Sequence, residues 1–182
     1  MLTSHELFGF MSPGLAADLL DFIHESDKPI YKAALNAIAQ ARHVRPVFLE
    51  RQPRAQRQAA MIATLSRPGL DAVAAGLIRA WLLKKHKAML VDFLNVLEIK
   101  NEEGVVENLP EGMDDTKLKS AVETLLAKYP PEAVAVYLNA FNDMNETAWA
   151  NLKAILESVG PPLPAADGRR GPELPVYRGD RG

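Results

Sequence analysis

The amino-acid sequence predicts an all-α protein, a compact multi-helix bundle of about eight short helices with a disordered C-terminal tail. Apolar residues recur at intervals of three and four in every well-patterned segment, which is the spacing of one helix face. No segment shows the apolar and polar alternation of a β-strand. The 182 residues, of which 48% are hydrophobic, are sufficient for the core of one domain.

Helix start signals divide the chain into its elements. Ser12 before Pro13 and Asp27 before Pro29 are typical of an N-cap followed by proline in the first turn. Asp114 is a third N-cap candidate. The predicted helices cover residues 4–11, 13–25, 29–42, 53–65, 70–86, 88–97, 114–128, 130–142 and 145–158. The last three ranges include the residue that precedes the first turn of the helix.

Two segments between these helices are less regular. Residues 43–53 hold one apolar cluster between two prolines, and we expect one or two helical turns held to the core by Phe48. Residues 101–115 contain Gly104, Pro110 and Gly112 and are predicted to be a loop, which Val105, Val106 and Leu109 would attach to the body.

The stretch from residue 67 to residue 100 has the strongest helical pattern. Its first part begins with Asp71, whose negative charge suits the N-terminus of a helix, and ends in a cationic cluster at residues 84–87, which suits a C-terminus. A second apolar run follows without a glycine or proline between them. Because the apolar direction shifts across residues 84–88, two helices or one sharply bent helix are predicted.

Charge is divided between two neighbouring segments. Residues 42–87 carry ten lysines and arginines against two acids, a net charge of +8, whereas residues 91–115 carry one lysine against eight acids, a net charge of −7. The two segments could cancel each other within a chain or between copies, or the basic one could bind an acidic protein or nucleic acid. No aromatic residue is interleaved with the run of Arg51, Arg54 and Arg57, which argues against nucleic acid. The expected interaction surface consists of Arg51, Arg54, Arg57, Lys84, Lys85 and Lys87.

The sequence contains no pattern that is typical of catalysis, nucleotide binding or metal binding. It has no cysteine, which excludes disulfides and thiolate chemistry, and its four histidines form no zinc-binding pair. The acidic pairs at residues 102–103 and 114–115 fall in polar segments, where they would stay solvated and unperturbed. We therefore expect no enzyme, no cofactor and no metal ion. A pocket between helices, holding a small molecule or an active site, is a less favoured alternative.

Residues 160–182 form a segment rich in proline, glycine and arginine that is predicted to be disordered, so the helical domain would span residues 1–159. The N-terminus lacks the pattern of a signal peptide, and the longest apolar run, residues 72–83, contains Arg79 and is too short to span a membrane. We expect a cytoplasmic protein that does not contact a membrane.

The functional prediction is a non-catalytic protein that binds another macromolecule, either a protein partner or a further copy of itself in a homo-oligomer. The alternative is a nucleic-acid-binding accessory protein that uses the basic segment of residues 42–87.

Overall fold

The structure, a computed structural model, describes residues 1–147 and 149–159. The described part contains ten α-helices, one 3-10 turn (Pro68–Leu70) and no β-strand, so the predicted all-α class is confirmed. The predicted disordered tail, residues 160–182, lies outside the described residues. The helices are α1 (Ser4–Phe10), α2 (Pro13–Ser26), α3 (Lys28–Ala41), α4 (Pro46–Glu50), α5 (Arg54–Leu65), α6 (Asp71–Lys85), α7 (Lys87–Val96), α8 (Asp115–Lys128), α9 (Pro131–Met144) and α10 (Ala150–Val159).

The predicted N-caps at the start of three helices are confirmed. The Ser12 hydroxyl accepts a hydrogen bond from the Leu15 amide (3.2 Å), and the Asp27 carboxylate accepts one from the Ile30 amide (3.2 Å). Asp114 accepts from two successive amides of α8, both at 3.0 Å. Each cap satisfies amides that the helix itself leaves unpaired, and these bonds explain why the boundaries could be predicted from local sequence.

Helix α6 lies at the centre of the fold and packs against α1, α2, α3, α5, α7 and α9. It buries Trp81 completely and Leu77 almost completely. Its N-terminal Asp71 accepts hydrogen bonds from the backbone amide and the Nδ1 of His5, both at 2.8 Å, which attach α1 to the start of α6. A continuous apolar core surrounds this central helix.

The predicted break between the two apolar runs is confirmed, and it falls at His86 within the cationic cluster. The backbone of His86 leaves the helical region (φ −112°, ψ 23°), while its amide still donates to the Leu82 carbonyl at 3.0 Å. Helix α7 then buries Met89, Leu90, Phe93 and Leu94. The turn lets both apolar runs face the same core, which one straight helix could not do because their directions differ.

The C-terminal helices close the core around four aromatic rings. The ring of Phe93 meets those of Tyr137 and Phe141 edge to face, with centroid separations of 5.5 and 5.3 Å, and Trp149 packs on Phe141 at 5.0 Å. Such aromatic pairs contribute roughly 0.5–1.5 kcal/mol each beyond their buried area. Helix α9, which carries two of these rings, has eight buried residues, and α10 packs against both α8 and α9.

One prediction about the irregular segments is wrong, and the prediction that Val105, Val106 and Leu109 hold the loop to the body is confirmed for Val106 and Leu109 only. Phe48 is 56% exposed and does not hold residues 43–53 to the core; the neighbouring Leu49 does so, at 1% exposure. A helix as short as α4 can turn only one of two adjacent side chains inward. Val105 is likewise 50% exposed, whereas Val106 and Leu109 pack against the core. The last helix begins at Ala150, later than its predicted cap at residues 145–147.

Candidate interaction surface

Two of the six cations that were expected to form the interaction surface bind acidic residues, Asp21 of α2 and Asp27 between α2 and α3. Arg54 donates to both oxygens of the Asp21 carboxylate, with Nε 3.0 Å from Oδ1, and Lys84 Nζ lies 2.5 Å from an oxygen of Asp27. Partial burial acts to raise the pKa of Asp21, but hydrogen bonds from Arg54 and Gln58 outweigh it and lower that pKa. The hydrogen bond from Lys84 lowers the pKa of Asp27. Arg54 and Lys84 are therefore neutralised within the chain.

Lys85 and Lys87 also have partners. The Lys85 ammonium lies 5.6 Å from the centre of the Phe22 ring, within the range of a cation–π contact. Lys87 Nζ lies 2.8 Å from Glu103 Oε1. Among the described residues, this is the one ion pair that joins the basic segment of residues 42–87 to the acidic segment of residues 91–115.

Other acids of the acidic segment pair with α8 instead. Asp92 accepts hydrogen bonds from Lys128 and Tyr129, both at 2.5 Å, and these bonds lower its pKa. Glu98 pairs with Lys117. Asp21 and Asp27 thus pair with cations of the basic segment, and Lys117 and Lys128 of α8 pair with acids of the acidic segment. These partners could not be predicted from the sequence because they are distant along the chain, although the acids on the polar face of α2 were a usable signal.

Arg51, Arg54 and Arg57 are spaced three residues apart in the sequence but do not lie on one helix face. Arg51 lies at the C-terminus of α4, and an extended Pro53 (φ −50°, ψ 142°) separates it from α5, where the other two arginines lie. Arg57 is half-buried, and its Nη1 donates to the Glu50 carbonyl at 3.0 Å. Arg57 thus holds α4 to α5 and contributes little to an open cationic surface.

The exposed surface around α4 was not anticipated. Val47 is 44% exposed and Phe48 56%, and they are two of the four large apolar residues that are exposed in the described chain. Arg45 and Arg51 flank them, are exposed, and make no ion pair with any described residue. We refer to Arg45, Val47, Phe48 and Arg51 as the α4 corner. Of the six predicted residues, Arg51 alone belongs to it.

The loop of residues 101–114 presents another exposed apolar residue, Val105, among acidic residues. The backbones of Glu102 and Val105 exchange two hydrogen bonds (2.8 and 2.9 Å) across a two-residue turn in which Glu103 and Gly104 both have positive φ. Gly104 is buried in this turn. A Cβ atom at this position would lie 2.9 Å from the Leu90 Cβ, so the turn has no space for a side chain here. The tight turn therefore fixes Val105 in its half-exposed position.

A concavity of about 860 Å³ lies beside this turn. Its apolar lining comes from Leu83 and Val105, and its acidic lining from Glu102, Glu103 and Glu107. Lys87, which pairs with Glu103, and Lys100 also line it. We call it the loop concavity. Over residues 101–114 the loop contains five acids and no lysine or arginine, so its surface is predominantly negative.

His86, between α6 and α7, is the most strongly perturbed histidine that the structure describes. Its ring packs edge to face on Trp81 with a centroid separation of 4.3 Å, and its Nε2 is buried without a hydrogen-bond partner among the described residues. Burial lowers the pKa of His86 from 6.5 to about 4, and the neighbouring Lys85 adds to this effect. The imidazole is therefore neutral at pH 7 and contributes no charge to the cationic cluster.

We expect acid to destabilise the native protein more than a His86→Leu variant between pH 6.5 and pH 4. In this window the unfolded chain binds a proton at His86 and the folded chain does not, so stability is lost as the pH falls. The loss should reach about 2–3 kcal/mol near pH 4. Urea unfolding of both proteins at pH 7 and pH 4.5 measures it. Identical pH dependence in the two proteins would contradict the assigned burial of His86.

The described residues hold no group of three or more histidine, aspartate or glutamate side chains that could bind a metal ion. The acidic pairs at residues 102–103 and 114–115 are exposed. The hydrogen bond from Lys87 lowers the pKa of Glu103. Exposed carboxylates with a lowered pKa remain ionised and are suited to charge pairing, whereas general acid catalysis needs a raised pKa.

No protein-family model, no curated protein and no solved structure matches this chain. None of the described helices is by itself long and apolar enough to cross a membrane. Helix α5 and the segment from Pro68 to Lys85 reach that length and hydropathy as a pair, with a bend of 101° between them.

Proposed function

We propose that this protein is a non-catalytic interaction domain that binds an acidic protein surface through the α4 corner. The observation that carries the proposal is the exposure of Phe48 between two arginines without ion-pair partners among the described residues. Elsewhere in the predicted surface the cations are paired, as Arg54 is with Asp21. An apolar anchor with adjacent free cations is a composition common at protein interfaces, where aromatic residues and arginine are enriched.

The energetics favour a weak, charge-steered contact. Covering the exposed part of the Phe48 ring would remove roughly 100 Å² of apolar surface from water, which is worth about 2.5 kcal/mol. Association costs more than this in lost translational and rotational freedom, so Val47 and further contacts must contribute. Arg45 and Arg51 would accelerate encounter with an acidic partner and select against a basic one.

Nucleic acid is the second candidate, because an exposed aromatic ring between arginines could also stack on an unpaired base. The charge argues against it. Residues 42–51 have a net charge of +2 from three arginines and one glutamate, and the whole chain has −2. Tight binding to a phosphate backbone generally requires more cations than this corner supplies.

Peptide selection would test the proposal. A random peptide library is displayed on phage and selected on the native protein, after removal of binders to an Arg45→Glu/Arg51→Glu variant. We expect enrichment of acidic peptides with one large apolar residue, whose affinity falls at least about thirtyfold in Phe48→Ala, the size of a hot-spot effect.

The matched control is the double variant Arg67→Glu/Arg79→Glu, which makes the same charge change at two other exposed arginines. It should retain the selected peptides. Selection of no peptide, or of peptides that bind Phe48→Ala equally well, would remove the proposal. Tighter binding of a single-stranded oligonucleotide, weakening steeply with salt, would favour nucleic acid instead.

A further inference from the structure

Two exposed apolar sites of this chain stand in surroundings of opposite charge. The α4 corner presents Phe48 among arginines, and the loop concavity presents Val105 among glutamates. Val47 and Val105, at 44% and 50%, are similarly exposed, and each site lies on a rigid backbone, one a helix and the other a tight turn. The two sites therefore have opposite charge, and both present apolar surface that a contact between them would bury.

We infer that the partner of the α4 corner is a second copy of this chain, whose loop concavity receives Phe48. This inference rests on the proposed function and names its partner. The concavity, at about 860 Å³, lies within the roughly 300–1,000 Å³ range of ligand pockets. An aromatic ring seated against Leu83 and Val105 leaves room for the side chains on either side of it.

Charge complementarity defines the orientation of the contact. Arg45 and Arg51 of one copy face the acidic lining of the next, where Glu102 and Glu107 make no ion pair with any described residue. Glu103 is engaged by Lys87, and Lys100 is the one remaining cation of the lining. A contact between two α4 corners, or between two loop concavities, would place like charges against each other and is disfavoured.

The contact joins two different surfaces, so it is heterologous. Each copy offers one corner and one concavity, and association therefore continues from copy to copy into a ring or an open chain. A two-fold symmetric dimer would form only if both corner–concavity contacts closed at once between the same two copies. This property separates the inference from self-association in general, because it predicts how defective copies combine.

The test uses the full chain and two single variants, Phe48→Asp and Val105→Asp. Each places a charge at a half-exposed apolar position, so both should fold. By sedimentation velocity, we expect the native protein to associate as its concentration rises to the millimolar range. Each variant alone should remain monomeric. An equimolar mixture should form a species of two 20.0 kDa chains and grow no further, because one intact corner meets one intact concavity.

A Thr124→Asp variant, which adds the same charge at an exposed position of α8, should associate like the native chain. Circular dichroism shows whether each variant folds. If an aspartate variant fails to fold, the serine variant at the same position, Phe48→Ser or Val105→Ser, takes its place. A monomeric native protein would overturn the inference, as would association that survives in either variant or a mixture that stays monomeric. If the native chain is monomeric but still selects acidic peptides through Phe48, the proposed function stands and its partner is another protein.

Discussion

Replacing Trp149 by alanine should lower the free energy of unfolding by about 3–5 kcal/mol, the usual cost of truncating a buried aromatic residue. Trp149 is 1% exposed and packs on Phe141. Its indole Nε1 donates to the Pro110 carbonyl at 2.9 Å, and its own carbonyl accepts from Asn142 Nδ2 at 3.3 Å. This one side chain therefore joins the acidic loop to the C-terminal helices.

Urea unfolding followed by far-UV circular dichroism measures this effect, and Trp149→Phe is the matched control. Phenylalanine retains most of the packing on Phe141 but leaves the Pro110 carbonyl without its donor, so a smaller loss of about 1–2 kcal/mol is expected. A loss below 1 kcal/mol in the alanine variant would show that Trp149 is not part of the cooperative core.

Replacing Gly104 by alanine should cost about 3 kcal/mol. At φ +87° an L-residue is strained by about 1–2 kcal/mol. The new Cβ would also lie 2.9 Å from the Leu90 Cβ. Both Cβ atoms are attached directly to the backbone, so neither can move away without shifting the backbone. Such overpacking costs about 1–3 kcal/mol. The same urea measurement detects the change.

Gly76→Ala provides the matched control, because it makes the same chemical change in the interior of α6, where no described residue beyond the adjacent helix backbone and the two chain neighbours comes within 4 Å of the new Cβ. It should stabilise the protein by about 0.5–1 kcal/mol, since alanine is the better helix former. If both glycine variants changed stability in the same direction and by similar amounts, the tight turn at Gly104 would not be as the structure describes it.

The helices could be predicted because their signals are local. Ser12, Asp27 and Asp114 cap their helices through amides two or three residues away, and the break at His86 follows from a change in apolar direction within a few residues. Such interactions can be recognised without knowledge of the rest of the chain. The ten helices exceed the predicted number of about eight in part because even the five residues of α4 complete a helical turn.

The candidate site could be predicted only in part. The sequence identified a basic and an acidic segment, and Arg51 and Lys87 do lie at the α4 corner and the loop concavity, respectively. It could not identify Phe48 as exposed, because Phe48 and Leu49 are both apolar and α4 is too short to show a period. The choice between them depends on the shape of the core that α4 covers.

The sequence by itself determined the all-α class, most helix boundaries and the separation of the chain into segments of opposite charge. The tertiary structure decided which charges remain free. Asp21 lies 33 residues from Arg54, and Asp27 lies 57 residues from Lys84, and only folding brings these pairs within hydrogen-bond distance. Pairing neutralises those two cations, whereas Arg45 and Arg51, beside Phe48, make no ion pair with any described residue, and the proposed partner surface rests on them.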